Sequence, residues 1–191
     1  MAVTGILGGV FDPPHDGHLA LARAAVTELG LERLLVLVVA DPGHKHAATP
    51  AETRLVLAKT AFAGVPEATV ELDGHSRTVD SLEARRLPAD TFFVLGADEL
   101  AGFEDWKAPR RVLELVRIAV AMRPGISREQ VDAVRQRLDA DGRILEFDLE
   151  PLPISSSEIR ERVARQQPID DLVPPAVADE IARLGLYATH E

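Results

Sequence analysis

Residues 3–40 read VTGILGGVFDPPHDGHLALARAAVTELGLERLLVLVVA, and this stretch decides the fold. Val3 to Leu7 reads as a buried strand. His18 to Leu29 carries apolar residues at helical spacing and is closed by Gly30, a residue suited to a helix end. Leu34 to Ala40 is seven apolar residues in a row, bounded by charge before and by Asp-Pro-Gly after, which reads as a strand buried on both faces. Strand, glycine-containing loop, helix and strand in this order make one crossover unit of a parallel sheet.

The pattern repeats along the chain. Ala68–Leu72, Thr91–Leu95, Arg117–Met122 and Ile144–Phe147 read as further strands, with helical patterns between most of them. Thr49-Pro50-Ala51-Glu52 reads as a helix start, with threonine as cap, proline at the first helical position and Glu52 closing a capping box. The expected class is α/β: a doubly wound, Rossmann-like parallel sheet with helices on both faces and a small C-terminal helical region from about residue 154. One domain over residues 1–191 is expected. Ligands of such sheets bind beyond the carboxyl ends of the strands, at a topological switch point.

Composition narrows the function. The chain has 21 basic and 31 acidic residues, a net charge of −10, which disfavours a partner gripped by its phosphate backbone. A small phosphorylated ligand needs only a few local donors and remains open. The sequence has no cysteine, so disulfides, thiolate metal sites and a cysteine nucleophile are excluded. No apolar run reaches membrane-spanning length, and the opening residues lack a signal-peptide pattern. A cytoplasmic protein free of membrane and nucleic-acid partners is expected, with a homo-oligomer left open.

The loop Gly8 to His18 (GGVFDPPHDGH) carries the strongest chemistry. Gly8 and Gly9 let the backbone approach a ligand. The following helix start offers unpaired N–H groups and a partial positive charge to an anion. His15 and His18, three apart, can face one phosphate, and donate to it more strongly when protonated. An ordinary turn through Asp12-Pro13-Pro14 and half of a metal site stay open as readings of these residues. Near the other end, Ile154-Ser155-Ser156-Ser157-Glu158-Ile159-Arg160 has capping-box spacing and a second anion-binding helix start. Arg160 can present a forked donor there. An ordinary capped helix also fits.

Gly8–His18 resembles the signature of the nucleotidyltransferase superfamily with a His-x-Gly-His motif. Within it the chain most resembles bacterial nicotinate mononucleotide adenylyltransferases, through five motifs in order over nearly the whole length. The resemblance implies that Gly8, Gly9, Phe11, His15, His18, Lys45, Gly96, Asp98, Ile154, Ser155, Ser156 and Arg160 bind ATP. It implies that His15 and His18 are catalytic, with His18 stabilising the transition state. Asp98 of Gly96-Ala97-Asp98 would take the adenosine ribose, although a helix cap is the plainer reading. Val10, Lys45, Arg77, Thr78 and Trp106 would bind the acceptor, with Trp106 stacked on its pyridine ring; Thr78 also reads as a helix cap. The Leu172-Val173-Pro174 and Gly185-Leu186-Tyr187 segments match the family's closing helix and read as structural.

Three departures weaken the acceptor side. Val10 stands for the usual threonine or serine, Arg77 for tyrosine, and Val38-Val39-Ala40-Asp41 lacks the usual Val-Pro. The implied reaction moves AMP from ATP to nicotinate mononucleotide. The acceptor phosphate has a second pKa of about 6 and is already a nucleophile, so no general base is required. Magnesium would ride on the ATP phosphates, with no metal ligand set supplied by the protein. Rival readings are an adenylyltransferase for nicotinamide mononucleotide, pantetheine phosphate or glycerol phosphate, a nucleotide-binding sensor without turnover, and an α/β interaction domain.

Overall fold

The computed structural model describes residues 2–43, 47–88, 90–122, 128–150 and 152–188. Six parallel strands form one sheet: β1 (Thr4–Gly9), β2 (Arg33–Val39), β3 (Ala68–Asp73), β4 (Phe92–Gly96), β5 (Arg117–Met122) and β6 (Ile144–Asp148), in the order β3-β2-β1-β4-β5-β6. The chain winds outward from β1 to β3, then crosses back to β4 and winds the other way. The switch point therefore falls between β1 and β4, as expected of a doubly wound sheet.

Alternation along each strand feeds two cores. Leu7, Val36, Val38, Val94 and Ala119 face one side, where they meet α1 (Asp16–Leu29), α2 (Ala51–Phe62), α7 (Ser156–Ala164) and α8 (Pro175–Leu184). Ile6, Leu37, Phe93, Leu95, Ile118 and Val120 face the other, toward α3 (Thr78–Arg85), α4 (Ala97–Ala101), α5 (Pro109–Leu115) and α6 (Arg128–Leu138). Successive side chains of a strand point to opposite faces, which is why strands covered on both sides read as unbroken apolar runs. Helices α7 and α8 contribute Ile159, Val177 and Ile181 to the same core as α1 and α2.

Several local expectations are corrected. β1 runs two residues further than Leu7, so Gly8 and Gly9 are paired strand residues opposite Leu37 and Val38. Helix α1 begins at Asp16, with His15 as its N-cap residue. Thr49 does not cap α2; Pro50 holds that position and makes no side-chain cap bond, because the Thr49 hydroxyl is drawn to the Asp12 carboxylate at 2.7 Å. Thr78 is the first residue of α3 and not its cap, and Asp98 lies within the first turn of α4, after Gly96 at the cap position.

Candidate active site

The signature loop leaves β1 under close steric control. A Cβ on Gly9 would come within 2.8 Å of the Phe11 ring. Phe11 takes a left-handed backbone (φ 53°), uncommon for a bulky residue, and its ring is sealed edge-on against Phe62 and His18 at centroid distances of 5.7 and 4.9 Å. The loss of conformational ease is offset by burial of an aromatic ring that is only 2% exposed.

Phe11 thus packs directly against one histidine of the pair, His18. The rings of His15 and His18 lie 3.8 Å apart. The His15 backbone N–H donates to His18 Nδ1 at 3.2 Å, which makes that nitrogen the acceptor and puts the proton of a neutral His18 on Nε2. His15 is 8% exposed, and its Nδ1 is buried without a hydrogen-bond partner. Burial pushes its pKa down from 6.5 to about 4, so it is neutral at pH 7 in the free protein. His15 therefore lacks the added donor strength that protonation would bring. Gly17 explains the glycine between the histidines: a Cβ there would stand 3.0 Å from His15 Nδ1.

The anion site at the start of α1 is narrower than the sequence suggests. Asp16 N–H is taken by the Leu172 carbonyl at 3.0 Å and His18 N–H by the His15 carbonyl at 2.9 Å, which leaves Gly17 N–H from that turn. Helix α7 leans on the same loop. Ser155 caps it, accepting from Glu158 N–H at 3.1 Å, while the Glu158 carboxylate pairs with Arg162 instead of completing a capping box. Ser156 donates its hydroxyl to the Pro13 carbonyl at 2.8 Å, and Arg160 Nη1 donates to the Asp12 carbonyl at 2.7 Å. Arg160 Nη2 bonds Ser157 at 3.3 Å. Ser156 and Arg160 therefore brace the loop that carries the histidines. Ile154, half-buried, packs against the α1 and α2 core just before this helix.

Two groups that sequence reasoning missed hold the loop from below. Arg54 of α2 is 1% exposed and donates to the carbonyls of Thr49, Val10, Val39 and Ala40 at 2.8–3.2 Å. Its signal was present: Arg54 stands on the same helical face as the buried Leu57, Ala58 and Ala61, where a charge needs partners. Asp12, 3% exposed, does more than turn the chain. Its carboxylate accepts from Ala48 N–H, from Thr49 N–H and hydroxyl, and from the Tyr187 hydroxyl at 2.7 Å. No local pattern announces that last contact, which spans 175 positions.

A second cavity opens between the ends of β1, β2 and β4 and the start of α3. Gly8, Val10, Arg77, Thr78 and Trp106 line it, over an apolar floor that includes Leu37, Phe93 and Leu95. Trp106 is half-buried and set edge-on against Phe103 and Phe93 at 5.1 and 6.1 Å. Arg77 is exposed at the rim. His75, also missed, lines this cavity and is held by Asp73 through its Nδ1 at 2.8 Å. Gly96 lies at the end of β4, its N–H turned to Glu99, whereas Asp98 faces a separate hollow between α4 and α6 beside Gln130 and Val134. Lys45 lies outside the described residues. Among the described residues no three His, Cys, Asp or Glu side chains gather as a metal cage.

A doubly wound sheet with paired histidines at the switch point, braced by a serine- and arginine-bearing helix start, defines a nucleotidyltransferase. The model of the cytidylyltransferase-like family matches residues 6–162. A Bordetella avium protein named "Probable nicotinate-nucleotide adenylyltransferase" is 36% identical over 190 residues, covering 96% of each chain. A Thermomicrobium roseum protein of the same name is 37% identical over 201 residues, covering all of this chain and 94% of its own. Two structures of Plasmodium falciparum nicotinic acid mononucleotide adenylyltransferase, complexed with APC and with NaAD, share the fold at a TM-score of 0.79, with 16% and 17% identity and 98% of both chains covered. The chain belongs to the cytidylyltransferase-like family, and within it to the nicotinate-nucleotide adenylyltransferases. No helix among the described residues is long and apolar enough to cross a membrane.

Proposed function

We infer that the protein transfers AMP from ATP to nicotinate mononucleotide, giving nicotinate adenine dinucleotide and pyrophosphate, a step of NAD biosynthesis. The observation that carries this reading is the juxtaposition at one switch point of two unlike compartments. One is a polar loop with two histidines; the other is an apolar-floored cavity rimmed by Arg77 and walled by Trp106.

The acceptor's phosphate oxygen attacks the α-phosphorus of ATP, forming a new P–O bond as the bond to the β-phosphate bridging oxygen breaks and that electron pair leaves with pyrophosphate. The nucleophile is an existing anion, so the protein's work is to hold two polyanions in line and to stabilise the charge that develops. His18 is aimed by His15 N–H, which bonds its Nδ1, and it faces a phosphoryl oxygen through the other nitrogen, Nε2. His15 meets the phosphates as a neutral imidazole whose buried Nδ1 has no internal partner. Gly8, Gly9 and Phe11 fix the backbone beneath, and Ile154, Ser155, Ser156 and Arg160 form the opposite wall. Arg160 reaches the phosphates with whatever donors it does not give to Asp12 and Ser157.

In the acceptor cavity Trp106 offers a face to a pyridine ring, Thr78 and Val10 border the ribose phosphate, and Arg77 supplies a cation for the ring carboxylate. Gly96, at the end of β4, borders the ATP side, and the family resemblance assigns Asp98 and Lys45 to ATP as well, Asp98 from the hollow between α4 and α6. Magnesium would come as part of the ATP complex and would neutralise phosphate charge; the imidazole and guanidinium groups of His15, His18 and Arg160 suit phosphate oxygens and not the cation. The reading carries with it one working domain and a cytoplasmic location.

Pyrophosphate release with magnesium ATP, offered nicotinate mononucleotide and nicotinamide mononucleotide in parallel, tests the reading. Strong preference for the acid is expected. Turnover with the amide alone would overturn the acceptor, and silence with both would overturn the function.

A further inference from the structure

One side chain of the C-terminal segment, which was expected to be structural, reaches the base of the loop that carries the histidines. Tyr187, three residues beyond α8, donates its hydroxyl to Asp12 Oδ1 at 2.7 Å. The same oxygen accepts the Thr49 hydroxyl at 2.7 Å, and Oδ2 accepts the N–H groups of Ala48 and Thr49. Asp12 stands three residues before His15, and its own carbonyl receives Arg160. Tyr187 holds a left-handed backbone (φ 62°), a costly conformation for an aromatic residue that needs compensation from its surroundings. Burial and the neighbouring carboxylate push its pKa upward, so the hydroxyl stays protonated and donating at neutral pH. The tyrosine touches neither histidine in these contacts; it acts on the carboxylate that ties the histidine loop to the segment before α2.

We propose that Tyr187 is a positioning residue for the transfer step, acting through Asp12 on the loop that carries His15 and His18. Without its bond, Asp12 keeps its partners on the Thr49 side alone, and the loop gains freedom around the position that sets the histidines. A displacement of about 1 Å at a reacting centre can lower a rate about a hundredfold, so loss of one of several restraints should cost about tenfold in kcat. Binding of the acceptor, in the other cavity, should not change.

This proposal rests on the adenylyl-transfer reading, and the experiment separates the two. Tyr187→Phe and Thr49→Val, which remove hydroxyls on the same carboxylate oxygen from opposite sides, are assayed with magnesium ATP and nicotinate mononucleotide beside the unaltered protein. Each variant should lose about tenfold in kcat, with the acceptor KM within about twofold. Tyr187→Phe placed on His18→Ala should slow the enzyme no further, because residues that act as one unit are not additive. A wild-type kcat in Tyr187→Phe, or a loss that multiplies in full on His18→Ala, overturns the proposal. Thermal unfolding is followed throughout: a lowered midpoint with unchanged kcat also overturns it. If Tyr187→Phe is unfolded at the assay temperature, it is assayed below its unfolding midpoint beside the unaltered protein, and the same outcomes decide. Silence of the unaltered protein would instead remove the functional reading beneath it.

Discussion

The two compartments of the site are built by opposite means. Around the histidines almost every polar group is bonded to another part of the protein: Arg54 to four carbonyls, Asp12 to Thr49 and Tyr187, and Arg160 and Ser156 to the carbonyls of Asp12 and Pro13. Around the cavity at the start of α3, proposed for the acceptor, the floor is apolar, and Arg77 at the rim is exposed. The first compartment is fixed before substrate arrives, which suits the stabilisation of a charge that appears only in the transition state. Val10 and Arg77 of the second can change without unpairing a buried group, whereas His75 there is bonded to the buried Asp73. The departures from the family pattern at Val10 and Arg77 fall in that second compartment.

The contrast can be broken most severely at Arg54. Arg54→Ala leaves the buried Thr49 carbonyl and three part-buried ones without their donor, and the Asp12 carboxylate without its nearby cation. A loss of about 3–5 kcal/mol is expected, read as a fall of about 10 °C in the unfolding midpoint. His18→Ala tests the same compartment without emptying its core. kcat should fall about a hundred- to a thousandfold while the fold, followed by circular dichroism, stays intact. Near-normal turnover would remove His18 from the chemistry.

A pH titration sharpens the picture at His15. Its pKa is lowered from 6.5 to about 4 by burial, so the unfolded chain takes up the proton more readily than the folded one. Stability should be full above about pH 6.5 and decline as the pH falls toward 4, with a contribution of up to about 3 kcal/mol. Denaturant unfolding of His15→Asn should lack that part of the slope; an unchanged profile would assign it to other groups. Arg77→Ala is the mildest change. The KM for nicotinate mononucleotide should rise by about two- to fivefold, with the amide unaffected and the unfolding midpoint unmoved. An equal rise for both would place Arg77 on the acceptor's phosphate instead.

The sheet was readable because β2, β4 and β5, covered on both faces, appear as nearly unbroken apolar runs, and six strand segments separated by helical patterns leave few topologies. Gly9, His15, His18 and Ser155 were readable because turn, phosphate and capping chemistry are local. Asp12 was legible only as turn chemistry, since its partners come from Thr49 and Tyr187. Arg54 carried a periodicity signal, but the carbonyls it holds belong to three other segments. Thr49 and Thr78 misled because a good capping residue can be claimed by a tertiary partner or stand one position inside the helix. His75 and Asp73, two apart at the end of β3, form a contact that sequence alone does not separate from a polar turn.

The contact between Asp12 and Tyr187 joins parts of the chain 175 positions apart. Closing so long a loop gains nothing until nearly all the intervening structure has formed, so this bond belongs to the last events of folding. A nascent chain can lay down β1 and the histidine loop early, yet that loop stays incompletely restrained until the segment after α8 has been made and docked. Competence for transfer then arrives as a property of the finished fold and not of its first half.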